Sequence, residues 1–117
     1  MENLKCEFFA FLDERKNKTM SEAAALAKDD RKDESNVLKA KANIYDIFKA
    51  IWGAAEKLSK DQDSFKTAFL GKASDIPAAW EKSLEVAKQH NDTFKIVIEE
   101  AKLAAVEEIK LKFDQLF

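Results

Sequence analysis

Apolar positions recur along this chain at the three- and four-residue steps of an α-helix. The strongest run lies between Val37 and Leu58. Val37, Ile44, Phe48, Ile51, Ala55 and Leu58 form one stripe, and Leu38, Tyr45 and Trp52 widen its flank. A stripe this broad packs against more than one neighbour, as in a globular bundle. A second long run carries Phe94, Ile98, Ala101, Ala105, Ile109, Phe113 and Leu116, and predicts a helix over 93–117. It repeats every 3.67 residues, whereas a left-handed coiled coil needs 3.5. Heptad spacing from Phe94 would place Glu108 and Lys112 in the seam, so a long coiled-coil rod is disfavoured.

Shorter segments complete the pattern. Leu4, Phe8, Phe11 and Leu12 predict a first helix over 3–17, and Thr19-Met20-Ser21-Glu22 has the spacing of a capping box opening a second stretch over 20–27. Ser59-x-x-Gln62 is a second such box, and Phe65, Ala68, Phe69 and Leu70 follow it up to Gly71, a natural helix end. Residues 72–75 read as a loop. Ser74 or Asp75 then caps a helix with Pro77 in its first turn, where the missing amide costs nothing, and Trp80, Leu84 and Ala87 form its buried face. Asn91 or Asp92 caps the last helix. Gly53, inside the strongest helix, predicts a close approach of another helix. No internal repeat of solenoid length is present. The expected fold is therefore all-α: one domain, residues 1–117, an antiparallel bundle of four to five helices. The two long members, 37–58 and 93–117, span about 33 and 38 Å.

One stretch resists this pattern. Lys28-Asp29-Asp30-Arg31-Lys32-Asp33-Glu34-Ser35-Asn36 is mostly charged. If helix 20–27 ran unbroken into 37–58, Asp30 and Asp33 would fall on the core-facing stripe between Leu26 and Val37, where lone carboxylates are expensive to bury. The helix breaks near 29–35, or it protrudes beyond the bundle, or the carboxylates hold a metal or a cationic partner. An unbroken helix of about 40 residues would reach about 60 Å, beyond its neighbours, which favours the break.

Composition narrows the function classes. The chain has 117 residues, 46% hydrophobic and 36% charged, with nine Phe and two Trp, which is a folded chain and not a disordered one. Twenty basic residues face 22 acidic ones, interspersed, so no face carries the uncompensated positive charge that nucleic-acid binding requires. The N-terminal segment Met-Glu-Asn-Leu-Lys-Cys-Glu is acidic where a signal peptide is basic, and no apolar run has membrane-spanning length. A cytoplasmic location is expected. The single cysteine, Cys6, sits among Phe8, Phe9 and Phe11 and reads as a small core residue.

Chemistry-bearing motifs are absent. His90 has no Glu three residues before it and reads as a helix-end residue near Asn91 and Asp92. Two isolated glycines make no phosphate-cradling loop, and no cofactor is implied. Glu99, Glu100, Glu107 and Glu108 read as a solvated face paired with Lys95, Lys102 and Lys112. Asp30, Asp33 and Glu34, with Asp46 one helical stretch later, are the candidate ligands for a divalent cation. All-α nucleotide pyrophosphohydrolases use clustered carboxylates of this kind, because a hard cation takes oxygen ligands. Asp stands here where that family has Glu, and the spacing differs. Asp29-Asp30-Arg31 through Ala42-Asn43-Ile44-Tyr45-Asp46-Ile47-Phe48 resembles small helical proteins of unknown function from anaerobic Gram-positive bacteria, which implies a bacterial cytosolic origin and adds no activity.

Two readings of function follow. The first is a non-enzymatic helical bundle that binds another protein or itself. Its candidate surface is the apolar C-terminus, Phe113, Leu116 and Phe117, which packs either on the first helix through Phe8 and Phe11 or in a homodimer. The second is a metal-dependent hydrolase of phosphorylated small molecules using residues 29–34. A small-ligand pocket lined by Trp52 and Trp80 is a third possibility, although such aromatics are usually plain core.

Overall fold

The computed structural model describes all residues, 1–117, and is all-α. Four helices of nearly equal length follow one another: α1 (Glu2–Lys28), α2 (Lys32–Leu58), α3 (Gln62–Gln89) and α4 (Thr93–Leu116). Consecutive helices run antiparallel. Lys5 meets Glu56 and Lys16 meets Asp46 between α1 and α2, and Phe65 and Phe69 face Trp52 and Phe48 between α3 and α2. Phe69 and Phe65 pair with Phe113 and Phe117 between α3 and α4.

Two predicted interruptions are absent. The breaks expected near Lys18 and at Gly71–Asp75 lie inside continuous helices, so there are four long members rather than two long and several short ones. Thr19 caps nothing. It is buried in α1, and its hydroxyl donates to the Arg15 carbonyl one turn back (2.8 Å). Gly71 keeps a negative φ, so no left-handed cap ends the helix there. Pro77 sits in the middle of α3, where it withholds the amide that would pair with the Ala73 carbonyl. Both Ala73 and Pro77 are buried, so packing keeps the two halves of α3 on one stripe. The cap of α3 is Asp61 rather than Ser59: its carboxylate accepts from the Ser64 amide (2.8 Å), and the Ser64 hydroxyl accepts from the Asp61 amide (3.2 Å).

The charged stretch does break the chain. Asp29 caps α1, Asp30 takes φ 61°, and α2 begins at Lys32, five residues earlier than its apolar stripe. Asn91, φ 53°, and the Asp92 cap make the matching turn between α3 and α4. Gly53 marks no close approach: a Cβ there, as at Gly71, would meet nothing within 4 Å.

The core is concentrated at the end where both chain termini and the α2–α3 turn meet. Phe8, Trp52, Phe65, Phe69 and Phe113 are fully buried there. Phe69 and Phe113 stack with ring centroids 4.0 Å apart, Trp52 lies 5.0 Å from Phe8, and Phe117 stacks on Phe113 at 4.5 Å. Each such aromatic contact adds about 0.5–1.5 kcal/mol to the burial itself. The C-terminus is thus held inside its own chain. Cys6, 200° around α1 from Leu4 and Phe8, is exposed and not part of the core. No helix is long and apolar enough to cross a membrane.

Candidate interaction surface

Midway along the bundle, Glu108 of α4 joins three helices. One carboxylate oxygen accepts from the Arg15 guanidinium of α1 (2.8 Å), and the other accepts from the buried Tyr45 hydroxyl of α2 (3.0 Å). Burial, followed by the Glu108 charge and hydrogen bond, raises the Tyr45 pKa above its ordinary value. The Glu108 hydrogen bond raises that of Arg15. Lys16–Asp46 (2.7 Å) and Asp13–Lys49 flank the network between α1 and α2. The expectation that Glu99 and Glu108 are plain surface residues is therefore corrected, because both are engaged inside the bundle. The signal available in sequence was Tyr45 itself: a phenol on the flank of an apolar stripe needs a buried acceptor.

Beyond this network α4 is less covered. Phe94, Val97 and Ala101 share with Glu108 the face of α4 that turns toward α1 and α2. At the level of Arg15 and Tyr45 the Glu108 hydrogen bonds span that face; at the tip no side-chain hydrogen bond does. Phe94 and Val97 are 44% and 47% exposed. Val97 forms, with Leu26 of α1 and Val37 and Leu38 of α2, a cleft of about 240 Å³ with Glu34 at its lip. Phe94, predicted to head the buried stripe, is thus outside the core. On the opposite side of α4, Glu99 is buried instead. One of its oxygens accepts from Lys102 (3.2 Å), the other has no partner, and the Lys102 ammonium lies 5.0 Å over the Trp80 ring of α3.

A second depression, about 390 Å³, lies between α2 and α3. Ile47, Ala50, Ile51, Ala54 and Ile76 line it, and Lys72 and Asp75 sit on its rim. A third, about 300 Å³, separates α1 from α4 around Phe11, Leu111 and the Arg15–Glu108 pair.

The candidate cation ligands are not brought together. Asp30, Asp33 and Glu34 are exposed at the α1–α2 turn, where Glu34 pairs with Arg31. Asp46 is about 20 Å further along α2, held by Lys16. No three His, Cys, Asp or Glu side chains converge anywhere in the chain. Trp52 is sealed in the aromatic core and Trp80 lies against Lys102, so neither lines any of the cavities. His90 is the exposed C-cap of α3. The chain matches no family model, no curated protein and no solved structure.

Proposed function

We propose that this chain is a non-enzymatic helical bundle that works by associating with protein, in the bacterial cytoplasm. The observation that carries the reading is the uncovered apolar face of α4 at the tip, Phe94 and Val97 beside the cleft of Leu26, Val37 and Leu38. The antiparallel bundle holds this face in place: the Arg15–Glu108–Tyr45 network ties α4 to α1 and α2. Phe94 and Val97 are already more than half buried, so covering the rest contributes about 1 kcal/mol per side chain, and a partner must cover further surface around them. A photoreactive phenylalanine at position 94 tests this in cells that make the protein. It should yield a covalent adduct with protein, whereas the same group at the exposed Ala78 should not. Absence of any adduct from position 94 contradicts the reading.

A further inference from the structure

We infer that the groove between α2 and α3 is the contact face of a homodimer. A second copy of this chain docks there about a two-fold axis that crosses α3 between Ala73 and Ser74, so that Lys72 of each copy pairs with Asp75 of the other. The inference goes beyond the reading of the tip, which lies on other residues. Three observations carry it.

The first is the absence of charge. Ala40, Asn43, Ile47, Ala50, Ala54 and Leu58 form one stripe along α2; none of them is buried and none is charged. The charged side chains of α2 that pair with α1, namely Asp46, Lys49 and Glu56, lie around the helix on the α1 side. In a chain with 36% charged residues, a purely solvated stripe of this length would carry some of them. Ile47, Ala50 and Ala54 form one wall of the groove, with Ile51 beneath and Ile76 of α3 opposite.

The second is the period. From Ala40 to Ala54 the stripe steps by 3, 4, 3 and 4 residues, the 3.5-residue repeat on which one helix receives another. The groove therefore fits a helix. Along an antiparallel copy of the same stripe, Ile47 meets the Ala50–Ala54 segment of the other copy, so bulk meets recess on both sides of the axis.

The third is charge complementarity. Lys72 and Asp75 are the charged residues lining the groove, and neither makes an ion pair in its own chain. In two antiparallel helices related by an axis between residues 73 and 74, position 72 of one faces position 75 of the other, so both pairs form together. An axis running along the helices would instead set α3 against the uncharged stripe of the other copy and leave all four charges unpaired. Pairs of this kind suppress the wrong register.

The test uses the purified full chain. Sedimentation equilibrium from about 1 to 200 µM should show a monomer–dimer equilibrium for wild type and a monomer throughout for Ala50→Glu. Ala50 is exposed and Glu is a good helix former, so that variant keeps its helical circular dichroism. Lys72→Asp and Asp75→Lys should each weaken the dimer by about tenfold, because each sets like charges face to face. The double exchange restores opposite charges across the axis and should return the dimer to near wild-type strength. A wild type that stays monomeric overturns the inference. So does a dimer indifferent to Ala50→Glu, or a double exchange no stronger than either single variant. None of these variants touches Phe94, so the outcome is separate from that of the position-94 adduct.

Discussion

The Tyr45 hydroxyl donates to Glu108 across 63 residues of sequence, and it belongs to the only tyrosine in the chain. Its ionisation is therefore readable alone, from tyrosinate absorbance near 295 nm. The native pKa is raised, so the protonated phenol favours the folded state. Its contribution is complete below the unfolded value of about 10 and is lost as pH climbs through the native value. Tyrosinate should stay low through pH 10 and appear together with loss of helix. A simple titration centred at 10 in folded protein would show that the hydroxyl is not buried against Glu108.

Glu108 should matter more than Tyr45 when each is removed singly. Tyr45→Phe deletes one donor and leaves the Arg15–Glu108 pair, costing about 1 kcal/mol. Glu108→Ala leaves the Arg15 guanidinium, whose Nε already lacks a partner, and a buried hydroxyl both unanswered, costing about 2–4 kcal/mol. Urea midpoints with unchanged slopes check the order. The reverse order would mean that the network is a by-product of packing.

Both glycines weaken helices without serving any approach. Gly53→Ala and Gly71→Ala place a methyl in open space at an ordinary helical φ, so each should stabilise by about 0.5–1 kcal/mol, and the double variant by nearly the sum. Thermal unfolding of the three variants decides. A loss at Gly53 would restore the close approach expected from sequence.

Removing Leu116 and Phe117 should lower the melting temperature by several degrees, because Phe117 stacks on Phe113 and lies 5.8 Å from Phe65. The loss should be the same at any protein concentration, since these contacts are within one chain. A loss that vanishes on dilution would return the C-terminus to an intermolecular role.

How much of this was legible depended on the range of the signal. The extents of α2 and α4 follow from uninterrupted apolar stripes and were readable to within a few residues. The Asp92 cap and the break at Asp29–Arg31 were readable too, because misplaced carboxylates would otherwise enter the core. α1 and α3 were each cut in two, at Thr19 and at Gly71–Pro77, since capping boxes, glycines and prolines are local signals. Packing overrides them where Thr19, Ala73 and Pro77 are all buried. Arg15 and Glu108, 93 residues apart, could not be paired from one sequence. Nor could the tip: Phe94 continues the stripe of α4, yet it is left 44% exposed.

Association with protein, rather than chemistry at the acidic turn, is the central claim, and one dilution series tests it. Melting temperature is measured from about 1 to 100 µM protein, with and without millimolar Mg²⁺, for wild type and for an Asp30→Asn, Asp33→Asn variant. Binding of any species to the folded state raises the midpoint by mass action. The expected result is a midpoint that climbs with protein concentration in both proteins and ignores magnesium. A midpoint indifferent to concentration but raised by magnesium in wild type alone would contradict it and place function at Asp30 and Asp33.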